Sequence, residues 1–481
     1  MSKIWPIAGK RFLSPYIHGH FTKPSPDHFR TLINPVTKLP SITVSETSPS
    51  QVEEALASAK LSSSEWQSCP RFRRDRLLAL ATRLELHEHD MAQLESLQTG
   101  KPLSDALYEM SDVVDCLRHF AGYCDKVFGT SQQFSDMHTY TTREALGTVA
   151  LITSFNYPLL LTGWKLAPAL AAGNCAIVKP APQTPLSSLA LAELASDILP
   201  PGVLNVLPGG VEVSRALIDG TDKTSFTGST LVGQDIMRRA SDRLTPLTLE
   251  CGGKNAVIVC KDSNLDQAVQ DIAMGAFSNA GQNCCAISRV FVDELVHDEF
   301  IHKLTNVVKN TWKATIDSSQ NEADNLYGPL IDINQYERVQ KYIDQRGEPT
   351  IVGEINSAAT NGYFVPPTIY TQVGDTDTIA SEEIFGPVLC ILKPFKDLNE
   401  AIERVNKSPY GLASGIFTND LRSAHDAANR IRAGVVWVNT YNIMPPSLPF
   451  GGRNMSGIGK DLGKTSLDEF SFEKTVMVNI K

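Results

Sequence analysis

Residues 147–180, GTVALITSFNYPLLLTGWKLAPALAAGNCAIVKP, decide the fold. A short run rich in β-branched residues, GTVALIT, passes through a polar turn at SFNYP into a helical stretch, PLLLTGWKLAPALAAG, closed by a glycine. A second such run, NCAIV, follows and is stopped after Lys179 by Pro180. Strand, helix, strand at this spacing is a parallel crossover unit. Working outward, VLNVL, KTSF and NAVIVC repeat the pattern, so the chain is read as α/β with a parallel sheet that binds ligands at the carboxyl ends of its strands. The alternation resumes after about residue 255, which predicts a second α/β domain. Upstream, residues 51–121 read helical. In LSDALYEMSDVVDCLRHFA, Leu103, Leu107, Met110, Val114, Leu117 and Ala121 form one apolar stripe. The segments HTYTTREALG (138–147) and FEKTVMVNIK (472–481) alternate in part and read as exposed strands, paired with each other or with another subunit.

The 481 residues, 42% of them hydrophobic, supply two or three domains with buried cores. A net charge of −9 gives no basic face for nucleic acid. Nine cysteines without CxxC spacing point to reduced thiols and a cytoplasmic protein, with no zinc or disulfide framework. MSKIWPIAGKRFLSPY lacks a continuous apolar core and a cleavage site, so no secretory signal is expected. No membrane span is expected either: the longest mostly apolar stretch, residues 157–172, is interrupted by Lys165 and Pro168. Two decoys are set aside. His87 and His89 are two apart and on a helix point to different sides, so no metal site is expected. Gly457, Gly459 and Gly463 mimic a dinucleotide fingerprint with the wrong spacing and read as a turn.

Chemistry concentrates at the strand ends. In KTSFTGSTLVG, Gly228 and Ser229 stand where a helix begins, and the free N–H groups there favour a phosphate; a plain βα turn has the same pattern. Lys179 is placed to hold ribose hydroxyls or a phosphate, or to be solvated. Glu250, after PLTL, suits a general base or a cap. Asn156, in SFNYP, suits an oxyanion donor or a turn before Pro158. In GQNCCA, small and polar neighbours leave a thiol accessible without choosing between Cys284 and Cys285.

SFNYP, WKLAPALAAGN, KPAPQTP, FTGSTLVG, LECGGK, GQNCCA, EEIFGPV and PFGGRNMSGIG, in this order and spacing, resemble the aldehyde dehydrogenase superfamily from about residue 34 to 478. The resemblance implies a Rossmann-type cofactor domain (1–123 and 147–252), an α/β catalytic domain (253–455) and a small β oligomerisation element (124–146 and 456–481). It makes Cys284 the nucleophile, Asn156 with the Cys284 backbone N–H the oxyanion hole, and Glu250 the base. It puts Lys179 on the adenine ribose, Gly228 and Ser229 at the pyrophosphate, and Glu383 and Phe385 at the nicotinamide ribose. The implied reaction passes through a cysteine thiohemiacetal and a thioester, with hydride going to the nicotinamide. Glu250 implies that water rather than coenzyme A takes the acyl group. Pro182 stands where the family often has a glutamate that repels a 2′-phosphate, so NAD is expected, with NADP the alternative. Asn454 replaces a usual lysine with no catalytic loss expected.

For the substrate, the resemblance puts Tyr157, Trp164 and Phe450 along a tunnel, with Asn283 and Cys285 flanking the nucleophile. Glu109 and Asp112 lie off the apolar stripe of a helix resembling the acid-bearing helix of aminoaldehyde and betaine aldehyde dehydrogenases. VNTYN before PPSLPFGG points the same way. An aminoaldehyde or betaine-type aldehyde is therefore expected, a general aliphatic or aromatic aldehyde being the alternative. A structural protein with an idle site is opposed by the intact Cys284, Glu250 and Asn156; a cysteine hydrolase lacks a histidine in these motifs. A homodimer or homotetramer is expected.

Overall fold

The computed structural model describes residues 12–25, 28–314, 327–355 and 361–481. Two large sheets organise them. The first has eight strands in the order Gly457–Ile458, Leu247–Glu250, Lys223–Thr227, Thr148–Ile152, Cys175–Lys179, Leu204–Val206, Tyr16–Ile17 and His20–Phe21. Its five central strands run parallel and both edges are antiparallel. Thr148–Ile152 and Cys175–Lys179 are buried throughout, which explains their unbroken apolar runs. The first of these strands lies between the second and the fourth, so the chain order reverses between Thr148–Ile152 and Lys223–Thr227, where open α/β sheets open a crevice.

The register aligns the strand ends. Lys179 pairs with Ile152, Ile152 with Phe226, and Thr227 with Glu250. The turn carrying Asn156, the amine of Lys179, the loop at Gly228 and the carboxyl of Glu250 thus emerge at one edge.

The crossover helix Pro158–Ala171 is buried along its whole length. Proline at its first turn costs no hydrogen bond, and Gly173 takes the left-handed conformation after its end (φ 96°). Helix Leu103–Ala121 packs against it, burying Met110, Val114, Leu117 and Ala121 as the stripe predicts.

The second sheet has seven strands in the order Ile351–Val352, Thr368–Val373, Val388–Leu392, Ile287–Val292, Asn255–Val259, Ala413–Phe417 and Val435–Val438, parallel except at Ile351–Val352. A third, antiparallel sheet joins Ser131–Phe134, Met137–Ala145 and Ser471–Asn479. The two segments read as exposed strands pair with each other over nine residues, from Ser471↔Ala145 to Asn479↔Met137. Gly457–Ile458, in the stretch read as a turn, is a two-residue edge strand against Leu249 and Glu250. It ties part of the tail to the first sheet rather than to the third. The short strands between residues 12 and 45 carried no readable period.

Candidate active site

Glu250 is the last residue of its strand, and residues 251–254 lead directly into the first strand of the second sheet. The carboxyl is buried, and neither oxygen has a hydrogen-bond partner. Gly451 makes room for it: with φ 151°, its backbone passes so close that a Cβ there would strike Glu250 Oε1. Burial drives the Glu250 carboxyl well above the ordinary carboxylate range; Asp461 and a Cys284 thiolate push the same way, while Lys165 and Lys460 oppose. Behind it, Lys165 Nζ donates to Asp461 Oδ2 at 2.7 Å and to Ser225 Oγ at 3.0 Å, a fully buried ion pair.

The cysteines follow helix Leu265–Phe277 and a tight turn at Ser278–Gly281. Asn279, Ala280 and Gly281 take φ of 52°, 56° and 68° in succession, a strained path for the two residues that carry a Cβ. Side chains hold it there. Gln282 Nε2 donates to the carbonyls of Asn279 and Pro329 (both 3.2 Å), and its Oε1 accepts from Ile331 N at 3.0 Å. The turn delivers Cys284 and Cys285 to the start of Ile287–Val292, and there they differ. Cys284 is half-buried. Cys285 is fully buried, its N–H donating to Asn283 Oδ1 at 3.2 Å and its sulfur 3.1 Å from the amide oxygens of Asn283 and Asn442. Its carbonyl accepts from Tyr441 OH at 2.8 Å. Cys285, expected to line the site, is thus packed behind its neighbour. Hydrogen bonding with Cys285 holds the Cys284 thiol well above its usual range, followed by burial and the negative charge of Glu383.

Asn156 sits in the turn before Pro158–Ala171. Its Nδ2 donates to the Gln282 carbonyl at 3.0 Å, tying it to the cysteine segment. An amide has a second Nδ2 hydrogen, which is the group an oxyanion needs.

Of the residues expected to hold a dinucleotide, Lys179, Pro182, Gly228 and Ser229 lie along the same edge, while Glu383 and Phe385 precede strand Val388–Leu392 of the second sheet. Lys179 is buried, and burial lowers its amine to about 8, with Arg30 adding and Glu46 opposing. Pro182 is half-buried three residues on. Ser229 caps helix Thr230–Ala240, its Oγ accepting from Val232 N at 3.4 Å, and Gly228 N donates to Glu250 O at 3.0 Å. Glu383 Oε1 accepts from Gly253 N at 2.9 Å, and burial raises its carboxyl. Phe385, at φ 61°, meets Phe155 edge-on with centroids 5.8 Å apart. A buried amine, a helix N-terminus and a pinned carboxylate around the crevice fit a dinucleotide.

Trp164 and Phe450 are both buried and pack edge-on, 5.5 Å between centroids. Tyr157 is half-buried, and Asn283 Nδ2 donates to Asn442 Oδ1 at 3.4 Å. Glu109 is not on an outer face. It is buried among Ala106, Met110 and Val113 and forms an ion pair with Lys101. Burial raises its carboxyl to about 8 against the pull of Lys101. Asp112 is half-buried, raised to about 6 by burial and then by Asp115.

Among the described residues no group of three or more His, Cys, Asp or Glu could hold a metal ion. Among those residues no helix is long and apolar enough to cross a membrane. Sequence reasoning missed Lys101, Asn279, Asn442, Lys165 and Asp461. Lys165 had a signal, as the one charge in an otherwise apolar helix.

The aldehyde dehydrogenase family model matches residues 21–476. A mitochondrial benzaldehyde dehydrogenase of Antirrhinum majus is 39% identical, over 91% of this chain and 83% of its own. A solved aldehyde dehydrogenase from Bacillus cereus superposes with a TM-score of 0.94 at 36% identity, covering 100% of this chain and 99% of that one. A betaine aldehyde dehydrogenase of Staphylococcus aureus, solved with NAD+, gives 0.93 at 32% identity, covering 98% and 95%. The chain belongs to the aldehyde dehydrogenase family and is an NAD(P)-dependent oxidoreductase acting on aldehydes.

Proposed function

We propose that this enzyme oxidises its aldehyde to the free carboxylate through a thioester on Cys284. The observation that carries the reading is that the strand edge holding the unpartnered buried carboxyl of Glu250 and the amide of Asn156 is tied, through the Gln282 carbonyl, to the segment that carries the half-buried thiol of Cys284. Cys284 adds to the carbonyl carbon as the thiolate, its proton passing to solvent, and Asn156 Nδ2 with the Cys284 N–H holds the resulting alkoxide; collapse of the alkoxide expels the carbon-bound hydrogen as hydride and leaves the thioester. Bound NAD supplies the hydride acceptor. Glu250 then takes a proton from the water that attacks the thioester, and Cys284 leaves as the thiol. Burial raises the Glu250 carboxyl, so its carboxylate is the stronger base for that step. Lys179, Gly228, Ser229, Glu383 and Phe385 hold the cofactor. NAD is the first choice, and Pro182 leaves NADP open.

Of the two substrate classes, the geometry favours an uncharged aliphatic or aromatic aldehyde. Glu109 already has an ammonium, that of Lys101, and Trp164 with Phe450 offers apolar surface. The similarity to the benzaldehyde dehydrogenase agrees. Asp112 carries the second reading, an aminoaldehyde or betaine-type substrate, since its half-buried carboxyl has no ion pair among the described residues. Initial rates of NADH and NADPH formation with hexanal, benzaldehyde, betaine aldehyde and 4-aminobutyraldehyde decide between them. A higher kcat/KM for the uncharged pair is expected. A preference for the cationic pair returns the substrate to the second reading, and no reduction of either cofactor refutes aldehyde oxidation.

A further inference from the structure

Asn156 can stabilise an alkoxide only if its backbone is fixed, and the structure shows an unusual amount of machinery on its peptide. The Asn156 carbonyl accepts two hydrogen bonds, from Lys101 Nζ at 2.9 Å and from Asn279 Nδ2 at 3.0 Å. Three residues on, the first free N–H of helix Pro158–Ala171, on Leu159, donates to Glu95 Oε1 at 3.0 Å. Lys101 is buried, ion-paired with Glu109, and its Nζ lies 4.6 Å from the centroid of the Tyr157 ring. Its backbone is equally constrained. It follows Gly100, the left-handed end of helix Glu88–Thr99, and precedes Pro102 at the start of Leu103–Ala121. Its carbonyl accepts from Ser96 Oγ at 2.6 Å, and its N–H donates to Thr99 Oγ1 at 3.3 Å.

A buried ammonium is costly unless paired, and an apolar pair would serve packing at least as well. What an apolar pair cannot supply is a charge-assisted bond to the Asn156 carbonyl. We propose that Lys101 is a positioning residue for Asn156: anchored by Glu109, it clamps the Asn156 peptide so that the side-chain amide faces the Cys284 addition site. The inference rests on the aldehyde-oxidising reading above and deepens it, because it assigns Lys101 to the thiohemiacetal-forming step. Glu109 becomes the anchor of that clamp rather than a substrate contact.

The test is a double-mutant cycle on the pre-steady-state burst of NADH, using the best aldehyde of the panel. Lys101→Met should slow the burst by about ten- to a hundredfold, the cost of a misplaced group, with KM changed by no more than about twofold. Asn156→Ala should slow it further, and Lys101→Met in the Asn156→Ala background should cost almost nothing more. A structural role alone would make the two losses multiply. If breaking the buried pair prevents folding, Lys101→Met with Glu109→Gln removes both charges and gives the same slowed burst. An unchanged burst in either folded variant, or losses that multiply, overturns the proposal. A wild type that forms no NADH with any aldehyde fells the reading on which it rests, and the clamp with it; a wild type whose first-turnover NADH formation the variants match fells the clamp alone.

Discussion

Cys284 and Cys285 differ by one position and by almost everything that governs reactivity. The first is half-buried, while the second is fully buried between two amide oxygens. Cys284→Ala should abolish oxidation. Cys285→Ala should keep most of it, measured as steady-state NADH formation; the reverse result would move the nucleophile. Glu250 makes a separate demand, on stability. An acid whose folded pKa is raised favours folding in its protonated form, so the contribution is full below its unfolded value and is lost as pH rises through the folded one. With an ordinary value of 4.5 and burial driving it well above, wild type should lose stability relative to Glu250→Gln as pH is raised from there. Thermal melts of both proteins across pH check this, and a Tm difference that does not grow with pH contradicts it. The strand-end residues were legible because apolar runs stop visibly at Lys179–Pro180 and at Glu250–Cys251. Lys165 and Asp461 were not, since a side-chain pair across 296 residues leaves no local pattern. Glu109, read as a substrate-attracting acid off the apolar stripe, is buried against Lys101, a pairing that no local pattern shows.

At the scale of elements, the crossover helix and its flanking strands follow from the sequence, since burial on both faces requires apolar runs there. The turn before the nucleophile does not follow from it. Ala at φ 56° is outside what propensity predicts, and only the brace from Gln282 and Asn279 makes it tolerable. Gly281 is the point where that turn has no slack: at φ 68°, a Cβ would run into the Gly386 backbone. Gly281→Ala should cost about 1–3 kcal/mol of stability from backbone strain, with activity lost beyond the drop in Tm. An alanine variant with normal melting and normal rates would show that the turn has another conformation available. Register matters as well. A one-residue slip of Leu247–Glu250 against Lys223–Thr227 would turn the Glu250 side chain to the other face of the sheet.

For the whole molecule, the site exists because the carboxyl edge of one sheet meets the segment that opens a strand of the other. No single motif shows that meeting, although the strand–helix alternation on either side of residue 255 announces the two units. The third sheet ends in Ser471–Asn479, a strand that among the described residues is paired on one side only, with Phe472 and Met477 exposed. Such an edge invites another chain, which supports a homodimer or homotetramer. Light scattering should give twice or four times 52.6 kDa, and Phe472→Lys with Met477→Lys should lower it. A monomer in the wild type would refute the assignment.

The proposed reaction turns on a covalent acyl-enzyme at Cys284, resolved by Glu250. The most direct measurement is a single turnover of Glu250→Gln with NAD and hexanal or benzaldehyde, quenched in acid, with fragmentation mass spectrometry of the peptide containing residues 281–289. One acyl group on Cys284, formed in step with NADH and absent in Cys284→Ala, is expected. An acyl group on Cys285, or NADH formed with neither cysteine modified, would contradict it.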